Sequence, residues 1–190
     1  LVASLTLSRT LHDRSWQFGP WGIAQDERST FHRAEFLWSP TVDLSVETGV
    51  DGEQVSLSPR GAVPFDLADW TPGRPGKSFG YDFSGTRQGL YATVKWRFDS
   101  AWGLSLGGRT DRYGLLDERT QDFRTTLSWQ VSPKVVLRAA TGTFHQAPAM
   151  TELDPLVGNP NLKTLRAHHA LVALDARDDR ASIPWQVRLE

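Results

Sequence analysis

The residues best suited to catalysis or metal binding in this sequence occur as adjacent pairs. His168 and His169 would point to opposite faces of a strand, so they would not hold one metal ion together. If residues 162–177 form an amphipathic helix instead, as their composition also allows, the pair is an ordinary feature of that helix. Acidic pairs at positions 117–118 and 178–179 fall in predicted connections, where carboxylates are commonly only solvated. Serine, histidine and aspartate also occur without a spacing that singles out a hydrolase triad, so the sequence predicts no enzyme, no metal site and no cofactor.

Composition excludes several further classes of function. The 190 residues contain no cysteine, which excludes a disulfide framework, a thiolate zinc site and a cysteine nucleophile. A net charge of −1 provides no basic surface for nucleic acid, and neither GxGxxG nor GxxxxGK[ST] occurs. No run of 18 apolar residues is present, which excludes a helical membrane span. The eight tryptophans, nine phenylalanines and sixteen glycines indicate strands and turns.

Apolar and polar side chains alternate along most of the chain, which predicts β-strands with one apolar face. The clearest example covers residues 86–98, where one side is apolar and the other carries Arg87, Lys95 and Arg97. The apolar side of this segment consists of Leu90, Ala92, Val94, Trp96 and Phe98. The same period predicts about nine strands of roughly ten residues each, a length that suits tilted membrane-crossing strands better than ordinary globular ones.

The predicted connections alternate between short and long. Short ones fall near residues 39, 100, 132 and 178, and long ones cover residues 11–28, 51–85, 114–120 and 145–164. In an up-and-down antiparallel sheet this gives one tight rim and one elaborate rim, which is the asymmetry of outer-membrane barrels. Aromatic residues lie beside the short turns, where their rings would reach the lipid headgroups: Trp38, Trp96, Phe98, Trp102 and Trp129. The alternative is a soluble barrel or sandwich with these aromatics in its core.

Two segments resemble the barrel of TonB-dependent outer-membrane receptors. From Ser128 to Lys163 a strand leads into a phenylalanine, A-P, E-L and G-N-P-x-L-K, as in that family. The matching residues are Phe144, Ala147, Pro148, Glu152, Leu153, Gly158, Asn159, Pro160, Asn161, Leu162 and Lys163. Leu104–Tyr113 is similar to the family's G-x-R-Y-D strand, with Gly108, Arg109 and Asp111 in corresponding places. The chain departs from the pattern at His145–Gln146, where a basic residue is usual, and at Thr164–Leu165, where Pro-Glu is common.

The resemblance implies a fold that is all-β, an antiparallel up-and-down transmembrane β-barrel in the outer membrane of a Gram-negative bacterium. Because the family's barrel has 22 strands around an N-terminal plug, about nine strands would form only part of it, and we expect residues 1–190 to be one partial barrel domain. We expect the plug and the TonB-contacting segment to be absent from these residues. The implied partners are outer-membrane lipid, the receptor's own plug, TonB through the missing N-terminal segment, and a small-molecule or metal-chelate ligand, but no nucleic acid.

The resemblance also implies roles for two groups of residues. Charged side chains on the polar faces would line the hydrated lumen and contact the plug, most of them structurally: Arg87, Lys95, Arg97, Arg109, Asp111, Arg124 and Arg138. The long segment 51–85 mixes aromatic and charged residues, which suits a mouth for a large polar ligand. Its candidate ligand-binding residues are Trp70, Arg74, Lys77, Phe79 and Tyr81, and the alternative is a surface loop packed on itself.

The function implied is TonB-energised uptake of a scarce, bulky nutrient such as a ferric siderophore, a corrinoid or a glycan, with no chemistry on the substrate. Two alternatives stay open at the level of sequence. One is a passive, porin-like outer-membrane barrel, and the other is a soluble β-barrel binding protein whose apolar faces point inward.

Overall fold

The computed structural model describes residues 1–155, 158–178 and 185–189, and the regular structure of this part of the chain is entirely β-strand. Ten strands form one antiparallel sheet. They are β1 Val2–Phe18, β2 Trp21–Trp38, β3 Leu44–Pro64, β4 Gly76–Gly80, β5 Phe83–Arg97, β6 Trp102–Tyr113, β7 Glu118–Ser132, β8 Val135–Gln146, β9 Leu165–Asp178 and β10 Trp185–Leu189. Among the described residues, no helix has the length and hydrophobicity needed to cross a membrane.

Nine of the strands pair in chain order, and β4 pairs only with the far end of β3. This path confirms the predicted up-and-down antiparallel architecture of about nine strands. The helix considered for residues 162–177 is not present, because β9 covers Leu165–Asp178. The predicted turn after β9 and the strand residues before Trp185 lie mostly outside the described residues.

Two of the predicted long connections are wrong. Across residues 11–28, β1 and β2 continue to a two-residue turn at Gly19 and Pro20, where Gly19 adopts a φ of 57°. Within residues 51–85, β3 continues to Pro64 and β4 follows, so the irregular connection is residues 65–75. Glycine and proline within these segments are typical of connections and obscured the strand pattern, as at Pro59 and Gly61. Val55, Leu57 and Val63 nevertheless share one face of β3, and Leu57 and Val63 are fully buried there. The 21 residues of β3 extend about 70 Å, far beyond any membrane.

The register gives the sheet two chemically different faces. One face of β5 carries Leu90, Val94 and Trp96, and the residues paired with them are also mainly apolar; we call this the apolar face. The opposite face of β5 carries Arg87, Tyr91 and Lys95 with their paired residues, and we call this the ionic face. On the apolar face the large side chains are exposed: 37% for Val94, 51% for Trp96, 47% for Leu106 and 38% for Leu127. They do not form the buried apolar centre that a soluble barrel would require.

An aromatic row borders the apolar face at the rim with the short turns. The ring centroids of Trp96 and Phe98 are 5.4 Å apart, and those of Phe98 and Trp102 are 6.5 Å apart. Trp102 and Trp129 are directly paired and stack with centroids 5.3 Å apart. From Phe98 to Leu90 the apolar face measures roughly 21 Å in height if the strand tilts by about 40°, comparable to the apolar band of outer-membrane barrels. The predicted placement at one level is confirmed for Trp96, Phe98, Trp102 and Trp129. Trp38 instead pairs with Val46, which is opposite Val94.

Candidate functional site

The ionic face is organised around one carboxylate that approaches three arginines. The side chain of Asp51, on β3, has no exposed surface. Arg109 of β6 binds it in bidentate fashion, with Nη1–Oδ2 and Nη2–Oδ1 distances of 2.9 Å each. Arg33 of β2 and Arg87 of β5 approach the same carboxylate, with Nη2 atoms 3.6 Å and 3.8 Å from its oxygens. These residues form what we call the Asp51 cluster, which joins four neighbouring strands.

Arg109 reaches Asp51 by crossing over β5 at a glycine. Gly89 pairs with Asp51 on one side and with Asp111 on the other, so it lies directly beneath the guanidinium. A Cβ atom at this position would be 2.7 Å from Asp51 Oδ1 and closer still to Arg109 Nη2. Arg109 also binds Asp111, with Nε–Oδ2 and Nη2–Oδ1 distances of 2.6 Å. The bridge between β3 and β6 therefore requires the absence of a side chain at Gly89.

Charges within the cluster are nearly balanced. Arg87 Nη2 lies 3.9 Å from Glu53 Oε2 and Arg33 Nη1 lies 3.9 Å from Glu35 Oε1, so four carboxylates, Asp51, Asp111, Glu53 and Glu35, face the three arginines. Such pairing offsets the cost of removing these groups from water. Removal of the central carboxylate would leave each arginine with a single carboxylate partner and would take away the one group that all three share.

Tyr91 extends the network toward β2. Its hydroxyl donates a hydrogen bond to Glu35, and its ring lies over Gly49, the residue between them in register. The guanidinium carbons of Arg33 and Arg109 are 5.9 Å and 5.6 Å from the ring centroid, within cation–π range. Beside the ring is a polar cavity of about 240 Å³ whose lining includes Glu35, Glu47, Tyr91, Arg109, Asp122 and Arg124.

All seven residues predicted to line the lumen share the ionic face. Beyond the Asp51 cluster, Lys95 Nζ lies 4.0 Å from Glu47, and Arg97 Nε lies 2.6 Å from Asp43. Arg138 pairs with Asp175, and the guanidinium of Arg124 lies 4.7 Å from the ring centroid of Phe144. Sequence reasoning missed Asp51, Arg33, Gly89 and Tyr91 as members of one site. Asp51 was missed because the predicted connection began at that residue. Asp51 is separated from Glu47 and Glu53 by even numbers of residues, so a strand through this segment would have placed all three on the same face.

The described part of the connection after β8, residues 147–155 and 158–164, packs against the ionic face at the rim with the long connections. Leu153 is buried, and Asp154, also buried, accepts a hydrogen bond from the Tyr81 hydroxyl. Met150 Sδ lies close to Gly85 of β5. Between this connection and the sheet is a half-apolar cavity of about 300 Å³, lined in part by Arg87, Tyr113, Leu115, Met150 and Leu153. The segment that carries the resemblance to the receptor family thus covers part of the ionic face.

Both ends of this connection are held by acidic residues of β7. His145 Nδ1 lies 2.8 Å from Asp122 Oδ1, and the His145 backbone N–H also donates to Asp122. At the other end, the backbone N–H of Thr164 donates to Glu118 Oε2 at 3.0 Å and holds the pKa of that carboxyl below its usual value. Lys163 Nζ lies 3.4 Å from Glu118 Oε1. These contacts anchor the connection to the sheet.

The five predicted ligand-binding residues belong to two groups. Trp70 and Arg74 lie in the 65–75 connection, where Trp70 packs on Trp16 with ring centroids 5.3 Å apart. Arg74 Nε there binds Asp69 at 3.0 Å. Lys77 and Phe79 are in β4 rather than in a loop, and Tyr81 follows that strand, with its ring centroid 5.9 Å from that of Phe79. The loop assignment is therefore wrong for Lys77 and Phe79.

His168 and His169 point to opposite faces of β9, as predicted for neighbours in a strand. His168 shares the apolar face with Val172, whereas His169 lies on the ionic face and contacts Phe144 with ring centroids 4.8 Å apart. Across the described ranges, no group of three or more histidine or acidic side chains could hold a metal ion.

Comparison with known proteins identifies relatives of the whole sheet. The family model described as "TonB dependent receptor-like, beta-barrel" matches residues 3–185. The ferric enterobactin receptor PfeA superposes with a TM-score of 0.68 at 16% identity, over 93% of this chain and 30% of that one. The siderophore receptor PirA from Pseudomonas aeruginosa gives 0.61 at 14% identity, over 93% and 36%, and the copper transporter OprC gives 0.62 at 16% identity, over 84% and 29%. No curated protein sequence matches the chain. The chain spans about a third of the length of these structures.

Proposed function

The chain belongs to the TonB-dependent receptor β-barrel family, and from that premise we propose that it is part of an outer-membrane receptor that imports a scarce, bulky nutrient with energy supplied through TonB. A ferric siderophore, a corrinoid or a glycan is the class of ligand proposed. The family and the structural neighbours are receptors and transporters, and the proposed activity requires no chemistry on the substrate.

One observation carries the proposal: the same meander exposes apolar residues on one face and pairs ionic residues on the other. In the proposed orientation the apolar face contacts acyl chains, with the aromatic row at the periplasmic headgroups. The ionic face then lines the hydrated lumen and contacts a plug domain. The Asp51 cluster suits this position, because its charged side chains pair with one another beside a hydrated lumen.

Energised uptake is tested with the full-length receptor expressed in a Gram-negative host that lacks its own siderophore receptors. The probes are 55Fe complexes of a catecholate siderophore, a hydroxamate siderophore and citrate. We expect at least one probe to accumulate in cells that contain TonB and to fall to the level of the empty vector in the isogenic strain without TonB. Equal accumulation in the two strains would contradict the proposal and support a passive, porin-like barrel.

The long rim is proposed as the ligand mouth. In the full-length receptor, the double variant Trp70→Ala/Arg74→Ala should weaken binding of the transported 55Fe complex by about tenfold or more, because tryptophan and arginine dominate recognition surfaces. Binding is measured on whole cells at low temperature, where uptake is slow. The matched control is Arg28→Ala. Arg28 is an exposed residue in the same long hairpin, β1–β2, but its side chain lies on the face of β2 opposite to the one that carries Ile23, the residue paired with Trp16. Wild-type affinity in the double variant would remove these residues from the mouth.

A further inference from the structure

One strand edge of the sheet is open above the β6–β7 hairpin. β4 and β5 pair with β3 in one unbroken register, because Gly80 and Phe83 are three residues apart and so are their partners in β3. On the other side of β5, β6 ends at Tyr113, which pairs with Arg87. Within the part of the chain that the structure describes, no strand pairs with the far side of residues 76–84. We call this stretch, about 30 Å long, the open edge.

Every second residue of the open edge directs its backbone groups away from β3. In an antiparallel pair, alternate residues bond to the partner strand and those between them face the opposite side. The N–H of Tyr81 donates to the Pro59 carbonyl of β3 at 3.3 Å, so the odd-numbered residues face β3. The Thr86 carbonyl accepts from the Gly114 N–H at 2.8 Å, so the even-numbered residues face the other way. Five exposed residues of the open edge therefore present N–H and C=O groups to an added strand: Gly76, Ser78, Gly80, Asp82 and Ser84.

The open edge lacks the features that usually protect an exposed strand. Proline, bulges and rows of charged side chains normally prevent such an edge from pairing with another chain. Residues 76–84 contain no proline, and their register with β3 is unbroken from β4 into β5. Their two charged residues, Lys77 and Asp82, have opposite signs and lie on opposite faces, so they do not repel an incoming strand as a row of lysines would.

A row of aromatic rings determines which side chains an added strand would need. Phe79, Tyr81 and Phe83 lie on the same side of the sheet as the ionic face, with successive ring centroids 5.9 Å and 6.2 Å apart. Each of the three is half-buried, so part of its ring surface stays open. The residues on the other side of the open edge are small apart from Asp82. A complementary strand would alternate apolar residues beside the rings with small polar residues, and opposite charges beside Lys77 and Asp82 would add to the pairing.

The position of the open edge restricts its occupant to a single extended chain. An added strand would lie directly above the end of β6, about 4.8 Å from the open edge. The edge thus points along the wall of the barrel and not outward from it. A second copy of the receptor could not bring its own wall into this position, whereas a peptide segment of another protein could.

We propose that the open edge binds an extended peptide segment of an external protein partner by strand addition, with alternate apolar side chains of the peptide against the aromatic rings. In this mode, hydrogen bonds of the main chain provide affinity and alternate side chains provide specificity. The rim with the long connections is the external one in outer-membrane barrels, so the open edge is reached from outside the cell. The inference goes beyond nutrient import and requires only that this rim is external.

The probe is the peptide T-V-K-Y-T-V-T-E-T, designed to pair antiparallel with residues 76–84. Its first threonine lies opposite Ser84, its lysine beside Asp82 and its glutamate beside Lys77. The fluorescein-labelled peptide is titrated with the purified full-length receptor in nanodiscs, and binding is measured by fluorescence anisotropy. We expect saturable binding to the wild type.

Two N-methylated forms of the peptide test the hydrogen bonds themselves. N-methylation of the central threonine, opposite Gly80, removes an N–H that points to the open edge and should weaken binding by about tenfold, as for the loss of one hydrogen bond. N-methylation of the valine that follows it is the matched control, because that N–H points away from the edge. The control peptide should bind as tightly as the unmethylated one.

A pair of receptor variants tests the same contact from the other side. Ser78→Pro removes an N–H from the open edge without breaking a hydrogen bond to β3, because Ser78 faces away from that strand. We expect about tenfold weaker binding of the unmethylated peptide to this variant. Ser78→Ala is the matched control, since it removes only the hydroxyl group and should keep wild-type affinity.

Absence of saturable binding to the wild type would overturn the proposal. Equal affinity of the two methylated peptides would also overturn it, and this comparison needs no variant to fold. Slow amide hydrogen exchange at Ser78 and Gly80 in the receptor alone would show that another part of the receptor covers the edge, which excludes an external partner. Binding of the peptide without TonB-dependent uptake would support the open edge and contradict only the transport function.

Discussion

Replacing Asp51 with asparagine is expected to lower the free energy of unfolding of the full-length receptor by about 2–3 kcal/mol, because the carboxylate is buried and its hydrogen bonds are charge-assisted, while its arginine partners are 20–37% exposed. The amide keeps the shape of the carboxylate but not its charge. Arg33, Arg87 and Arg109 would then share a neutral group, each keeping only one carboxylate, and the central bridge between β3 and β6 would be weakened. Urea unfolding of the receptor in lipid vesicles, followed by tryptophan fluorescence, measures this loss.

Asp43→Asn is the matched control for this prediction. Asp43 also pairs with an arginine of β5, Arg97, but the two side chains are 45% and 56% exposed. An exposed pair contributes at most about 1 kcal/mol, because water and salt screen it. If the two variants lost similar stability, the Asp51 cluster would have no special structural role.

Replacing Gly89 with alanine is expected to cost about 3 kcal/mol, although the change adds a single methyl group. A free arginine could move away from the new Cβ, but the Arg109 guanidinium is held by Asp51 and Asp111 together. The methyl group would also press on Asp51 Oδ1, which is 2.7 Å from its position. Relief of the overlap therefore requires breaking the bidentate pair.

A double-mutant cycle tests this cause directly. In an Arg109→Met background the bidentate pair is already lost, so Gly89→Ala should cost much less there than in the wild type. Gly108→Ala is the control on the neighbouring strand, because the nearest atom to its added Cβ would be 3.9 Å away, in Phe123. Additive losses in the cycle, or an equal loss at Gly108, would contradict the bridge over Gly89.

The sequence by itself determined the fold class. In strands with one apolar face, it also determined which side chains share each face. A strand repeats every two residues, so the alternation of Leu90, Val94 and Trp96 with Arg87, Lys95 and Arg97 is visible without coordinates. The same periodicity sufficed to place Arg109, Asp111, Arg124 and Arg138 on one face. The receptor motifs between Ser128 and Lys163 supported the family to which the chain belongs.

The extents of the long hairpins were decided only by the tertiary structure. Residues 11–28 and 51–64 pair as strands although glycine and proline interrupt their sequence pattern, and the burial of Ile23, Leu57 and Val63 on one face is visible only in the structure. The packing of residues 147–155 on the ionic face was equally hidden, because it depends on Tyr81 and Asp154 meeting across 73 positions of the chain.

The Asp51 cluster shows the same limit most clearly. Periodicity assigns Arg33, Asp51, Gly89 and Arg109 to one face, but it does not say which of them lie at the same height. That is set by the register of each strand pair, and a shift of two residues would keep every side chain on its face while separating the arginines from their shared carboxylate. The face on which a side chain lies is a local property of its strand and can be predicted from the sequence. The site depends on the registers of three successive strand pairs, which only the structure gives.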